Sequence, residues 1–366
     1  MNPQLLITKN NIGECEIYSA NLPKERQIGR ILCKIDKVAL TANNVTYAVI
    51  GAHPSFRYWQ FFPVEDESKG LVPVWGFADV VESTHPEIEV GERLYGYWPL
   101  AGYLELEPSK VSTHGFVDGA RHRQDLSLIY NQYVRTAVSQ EFTPENEPYH
   151  AIMRPMFTTS FLLDDYLWES APEAGTFIIS SASSKTGYGT AFQLKNKRGD
   201  RAPYQIVGLT SASNVEYVKK LGLYDMVLPY SEVSTLPHDG SPVAYADFSG
   251  NAALRQAIHE KYTDALIRDV VVGVTDWTRQ GSAQGLPGAK PENFFAPSQA
   301  QKRISEWGGS RFMLKVAQDL MAFISYSAGY MHIVEVEPMK EVGPLWENMV
   351  NGKVDPSKGY ILRPSA

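Results

Sequence analysis

The sequence predicts an α/β fold in two parts, a β-rich domain and a doubly wound parallel sheet, and three observations carry the prediction. Apolar strand patterns alternate with helical ones from Phe177 to Thr275, the signature of a parallel sheet with crossover helices. Several short strands at close spacing fill the stretch before residue 150, which suggests a compact β-rich domain. The length of 366 residues is enough for two separate cores.

In chain order, residues 30–38 alternate as a strand, 71–82 contain a second, and 91–97 form a short third punctuated by glycine. Residues 121–135, rich in charge and aromatics, are expected to be a helix capping this domain. A helix is also expected in 149–169, leading into the parallel sheet. The sheet's strands are expected at Phe177-Ile178-Ile179, 204–211, 223–228, 242–248 and 265–275, with a helix at 214–221 stopped by Gly222. Residues 281–297, rich in Gly, Pro and Ala, predict a loop, followed by a long amphipathic region over 301–326. A polar helix at 342–351 and a strand at 359–362 close the chain.

Composition narrows the function classes. A net charge of -7 and a pI near 5.7 argue against nucleic acid or an anionic membrane as the default partner. No window approaches 18 uninterrupted apolar residues, and Met1-Asn2-Pro3-Gln4 lacks the basic and apolar regions of a signal peptide, so a cytoplasmic location is expected. Cys15 and Cys33 are too few for a disulfide framework and suit small buried hydrophobes. The eight histidines are scattered singly, so no metal site is expected.

The turn after the first parallel strand reads Ser180-Ser181-Ala182-Ser183-Ser184-Lys185-Thr186-Gly187. A dinucleotide-binding turn carries three glycines, for the turn itself, for backbone approach to pyrophosphate and for helix packing. Ser181, Ser184 and Gly187 stand in those places, so only the third glycine survives. Serine hydroxyls can donate to phosphate beside the N–H groups of the helix start, and Lys185 and Thr186 extend the same cradle. A P-loop is excluded, because Ile179 and Ser184 occupy its two glycine positions. The other reading is a plain strand-to-helix junction.

The end of the second strand bears on cofactor choice. An NAD site places a carboxylate there for the ribose 2′-hydroxyl. This chain has Thr210-Ser211-Ala212-Ser213-Asn214, and Thr210, Ser211 and Asn214 can accept a 2′-phosphate, with Lys185, Lys219 or Arg201 to neutralise it. NADPH is therefore favoured over NADH. The same residues also suit a helix N-cap, and both readings can hold together. Ser249, after the fourth strand, would face the cofactor from the neighbouring loop.

Together these landmarks resemble the medium-chain dehydrogenase/reductase superfamily, in particular its zinc-free quinone-oxidoreductase-like members. The resemblance rests on 29–35, 39–47, 73–81 with 90–96, 344–353 and 359–362, and runs nearly end to end. The serine-rich turn, Gly208-Leu209-Thr210-Ser211 and the aromatic-rich first domain narrow it to a poorly characterised branch known as a domain of unknown function. It implies a GroES-like catalytic domain over 1–150 and 330–366, a Rossmann domain over 151–329 and a homodimer. Phe77 stands where zinc members place a histidine ligand, and Thr41 lies near their cysteine position.

The resemblance further implies hydride transfer from NADPH to a carbonyl or an activated alkene, with protein donors stabilising charge on oxygen. Tyr47 is the first catalytic candidate, with Asn44, Asn43 and Thr41 to orient the substrate; a packed tyrosine and an Asn-Asn turn are the competing readings. On the expected helix at 121–135, Arg123, Tyr130 and Asn131 would share a face and could hold substrate, or simply lie at the surface. Tyr97 and Trp277 are candidates to line a cleft for a bulky apolar or aromatic small molecule, though aromatics also fill cores. Two rivals stand beside this reading: a non-redox lyase or hydrolase, and a catalytically silent nucleotide-binding protein on the same fold.

Overall fold

Six strands, the first, second and fourth of them near-continuous apolar runs, assemble into one all-parallel sheet, in a computed structural model that describes residues 1–22, 24–273, 285–337 and 339–365. Their spatial order is Met226–Pro229, Gln205–Thr210, Thr176–Ile179, Val243–Asp247, Leu266–Val271 and Pro291–Asn293. In chain order this is 3-2-1-4-5-6, the arrangement of the Rossmann fold. Burial of both faces explains the runs: Ile178, Val207, Leu209 and Tyr245 are fully buried and share one core with Leu254 and Ile258 of the helix Ala252–Tyr262.

The chain divides into two compact units, residues 1–152 with 331–366, and residues 153–330. The second unit contains the parallel sheet. The first is built on a largely antiparallel sheet ordered His332–Val336, Lys358–Leu362, Ile31–Leu40, Pro73–Ser83, Arg93–Pro99, Gln132–Arg135, Gly115–Asp118 and Pro108–Ser112, with Tyr103–Leu106 also paired to Ile31–Leu40. A smaller sheet joins Cys15–Ala20, Asn2–Thr8 and Lys69–Leu71. Cys33 is buried and Cys15 half-buried, both as free thiols.

Three expectations differ from the structure. Residues 121–135 are not a helix: they form two single 3₁₀ turns, Arg121–Arg123 and Leu128–Tyr130, and then the strand Gln132–Arg135. Tyr133 and Val134 alternate inward and outward between two neighbouring strands, and that pairing overrides helical propensity. Within the described part of 281–297, the expected loop includes the edge strand Pro291–Asn293 and the first turn of the helix Ala296–Trp307. The amphipathic region over 301–326 is two helices, Ala296–Trp307 and Gly309–Ala328, interrupted where Gly308 takes φ +83°, a conformation that favours glycine. No helix among the described residues is long and apolar enough to cross a membrane.

Candidate functional site

The parallel sheet sends its first, second and fourth strands toward one set of carboxyl-end loops, where open α/β sheets bind ligands. Ser181 turns the chain after Thr176–Ile179 with φ +47°, the left-handed conformation that a glycine would take without strain. Motif spacing counted back from Gly187 would put that first glycine at Ala182; the structure puts the turn one residue earlier. Tyr230, just past the third strand, steadies it: its hydroxyl accepts from the Ser181 N–H at 3.0 Å and lies 3.3 Å from the Ser181 hydroxyl.

Ser184 is the N-cap of the helix Lys185–Lys197, and its Oγ accepts from the Gly187 N–H at 3.1 Å. Gly187 has no room for a side chain, because a Cβ there would lie 2.8 Å from both the Ser181 carbonyl oxygen and Ser184 Oγ. The third glycine is thus required by close packing. Lys185 and Thr186 open the helix, and the Thr186 carbonyl accepts from Ser160 Oγ at 2.8 Å.

Ser183, which the sequence did not single out, joins this turn to the second strand. Its Oγ accepts from Thr210 Oγ1 at 3.4 Å and from Asn214 Nδ2 at 3.2 Å, while the hydroxyls of Ser211 and Ser213 lie 3.1 Å apart. The predicted Thr210, Ser211 and Asn214 therefore do gather beside the serine turn. Of the cations proposed to help, Lys219 pairs with Glu216 at 3.1 Å. Arg201 precedes the second strand, at the end opposite these loops, and is held by Asp164 at 2.6 and 3.0 Å, so it is removed from this group.

A buried polar chain underlies the same loops. Ser180 Oγ donates to Asp247 Oδ1 at 2.7 Å and accepts from the N–H groups of Phe248 and Ser249 at 2.9 and 3.1 Å. The same Asp247 oxygen accepts from Ser249 N, Ser249 Oγ and Gly250 N at 2.9, 2.8 and 3.1 Å. Its other oxygen accepts from the Arg255 guanidinium, which also lies 3.3 Å from Asp269. His259 completes the chain, with Nε2 2.8 Å from Asp269 and Nδ1 2.7 Å from the Pro287 carbonyl oxygen. Because both ring nitrogens face acceptors, the geometry suits an imidazolium donating twice. Burial alone would lower the His259 pKa, but the bonds to Asp269 and Pro287 outweigh it and raise it.

In the other unit, Thr41 N and Oγ1 donate to Asn44 Oδ1 at 2.6 and 3.0 Å, and Asn44 Nδ2 donates to the Pro73 carbonyl at 2.8 Å. Both ends of the Asn44 amide are engaged, which fixes the start of the helix Ala42–Val49. Tyr47 projects from that helix, 5% exposed, and accepts from Trp75 Nε1 at 3.3 Å, with Asn43 also bonded to it. Burial pushes its phenol well above the ordinary range, with Tyr130 adding to the effect, so the group stays protonated.

Tyr47 belongs to an aromatic cluster with Tyr58, Tyr97, Tyr130 and Trp75. The ring centres of Tyr97 lie 5.8 Å from Tyr47, 4.7 Å from Tyr130 and 4.9 Å from Trp75. Tyr130 bonds Tyr58 hydroxyl to hydroxyl at 3.1 Å, whereas the buried Tyr97 hydroxyl has no hydrogen-bond partner among the described residues. Tyr97 and Tyr130 thus join Tyr47 although the expected helix is absent. Arg123 borders the cluster through Phe61 and Phe62 but is engaged within the protein: 1% exposed, it pairs with Asp118 at 3.2 Å and donates to Tyr133 and to the Phe61 carbonyl. Phe77 is buried against Tyr95 and Phe142. Trp277 lies outside the described residues.

The family model described as a protein of unknown function (DUF2855) matches residues 38–355. No curated protein matches the sequence. Among solved structures, CurA from Vibrio vulnificus in complex with NADPH is similar at 13% identity with a TM-score of 0.66, the match covering 100% of this chain and 99% of that one. The yhdH oxidoreductase from Salmonella enterica in complex with NADP is similar at 12% identity, TM-score 0.54, over 99% of both chains. The quinone oxidoreductase from Coxiella burnetii is similar at 12% identity, TM-score 0.55, again over 99% of both. At these identities the likeness establishes the fold, a GroES-like domain joined to a Rossmann domain.

Proposed function

The chain belongs to the DUF2855 family of proteins of unknown function, and from that premise we propose that it is an NADPH-dependent, zinc-independent oxidoreductase acting on a carbonyl or an activated alkene. The observation that carries the reading is the turn from Ser181 to Gly187 at the carboxyl end of the first strand of a 3-2-1-4-5-6 sheet, with a glycine that no side chain can replace. Structures of the same fold that contain NADPH or NADP support it.

The residues fit such a cofactor. Ser181, Ser184, Lys185, Thr186 and Gly187 would hold the pyrophosphate at the helix start, and Thr210, Ser211 and Asn214 the 2′-phosphate, where no carboxylate of the second strand's end opposes it. Ser249, expected to face the cofactor, is buried and bonded to Asp247 and Asn251, and would shape the next loop from beneath. When bound, NADPH supplies the hydride. Tyr47, kept protonated by burial, would donate a hydrogen bond to the substrate oxygen, and the aromatic cluster with Tyr97 would pack a flat apolar substrate.

One observation favours the silent-binder reading: the Ser181 N–H is already satisfied by Tyr230 from within the protein. Fluorescence titration with NADPH separates the two in steps. Absence of binding at millimolar cofactor would sink both readings, whereas binding without turnover of any enone or quinone would leave the silent binder. With turnover, Tyr47→Phe is expected to lower kcat by about 10²-fold, the scale of a lost oxyanion donor. A fully active variant would remove Tyr47 from the chemistry. Ser211→Glu is expected to weaken NADPH at least about tenfold and NADH little, since it sets a carboxylate against a 2′-phosphate.

A further inference from the structure

Ser180 and Asp247 are 67 residues apart in sequence, and each is fully buried at the carboxyl end of adjacent strands. Buried polar groups of this kind need a reason, since an unpaired one is costly. Here the pairing is complete on the Oδ1 side of Asp247, which takes the Ser180 hydroxyl together with three donors from Ser249 and Gly250. Ser180 in turn accepts from Phe248 and Ser249, so the two loops are cross-linked in both directions. Ser249 Oγ also accepts from Asn251 N at 3.1 Å, and Asn251 caps the helix Ala252–Tyr262 through Leu254 N. Arg255 of that helix supplies the counter-charge on Oδ2.

We propose that Ser180 and Asp247 are positioning residues for the dinucleotide, locking the serine turn and the Ser249-Gly250-Asn251 loop into a single geometry before any ligand arrives. The inference rests on the reading of these loops as the NADPH site. It gives the glycine-poor turn a physical basis: a serine turn is held in place by a carboxylate from the next strand. Neither residue needs to touch the cofactor.

The test uses Ser180→Ala in the full-length protein, because it removes the cross-link while leaving the Asp247–Arg255 pair intact. NADPH affinity by fluorescence titration is expected to weaken at least about tenfold, in line with the cost of misplacing binding groups by a fraction of an ångström or more. Ser180→Thr, which keeps the hydroxyl, is expected to restore it. Amide hydrogen exchange without ligand is expected to speed up both in 181–184 and in 248–250. If affinity in Ser180→Ala stays within twofold of the original, or exchange changes only in 248–250, the positioning role is overturned. If the original protein fails to bind NADPH, the cofactor reading falls, and the coupling of the loops is then judged by exchange alone: acceleration in both segments upholds it and protection in 181–184 refutes it.

Discussion

Single residues carry the least ordinary physics of this chain. Ser181 holds a left-handed backbone that costs an L-residue about 1–2 kcal/mol, and its hydroxyl lies 3.3 Å from that of Tyr230. Ser181→Gly is therefore expected to stabilise the protein by about 0.5–1 kcal/mol after the extra entropy of glycine in the unfolded chain is deducted, as urea unfolding would read. A variant less stable than the original would mean that the Tyr230 contact outweighs the strain. His259 gives a pH-dependent counterpart. Its folded pKa is raised above the unfolded value of about 6.5, so its contribution is complete below that pH and is lost as pH rises through the folded value. Unfolding free energies measured from pH 6 to 9 are expected to fall with pH in the original and to lose that component in His259→Gln; identical slopes would show that the imidazole does not titrate with folding.

Elements were legible in the sequence where one physical signal dominated, and illegible where long-range pairing did. The strands Thr176–Ile179, Gln205–Thr210 and Val243–Asp247 announce themselves because burial on both faces demands unbroken apolar runs. The strand Gln132–Arg135 does not, because its pairing with Arg93–Pro99 and Gly115–Asp118 is invisible in a charged aromatic segment that also suits a helix. The candidate site divides the same way: Ser184 and Gly187 stand out by spacing, whereas Ser181 is marked by its left-handed turn, and Ser180, Ser183, Asp247 and Arg255 acquire meaning only when distant segments meet. The helix Glu147–Ser170 shows what such meetings contribute. Its first residue, Glu147, is 5% exposed and accepts from Lys37 at 2.9 Å and from Arg93 at 2.5 and 2.8 Å. Burial raises its pKa, but those bonds prevail and lower it, so this stability is present above the unfolded pKa of about 4.3 and fades as pH falls through the folded value. Glu147→Gln is expected to cost about 2 kcal/mol at neutral pH and to flatten the acid limb of the stability profile; an unchanged acid limb would assign that limb to other carboxylates.

At the scale of the whole molecule, the first unit is made from two segments, 1–152 and 331–366, that flank the second in sequence, and this fixes an order of events. Lys358–Leu362 lies between His332–Val336 and Ile31–Leu40, with Tyr360 opposite Leu40 and Leu362 opposite Val38. Ile361, Leu362 and Trp346 are fully buried, and Trp346 Nε1 donates to the Ile12 carbonyl at 2.7 Å. At about 1.5–3 kcal/mol for each fully buried large side chain, these three alone approach the whole stability of a typical domain, about 5–15 kcal/mol. Residues 1–152 therefore lack part of their own sheet until residues 358–362 have been made, while 153–330 hold the six parallel strands in one continuous segment. A chain truncated after Glu341 is accordingly expected to leave a protease-resistant fragment close to 153–330 and to lose protection throughout 1–152, as limited proteolysis with mass mapping would show. Resistance of both regions, together with an unchanged melting temperature, would mean that the antiparallel sheet is stable without its returning strand and that the tail is added to a finished unit.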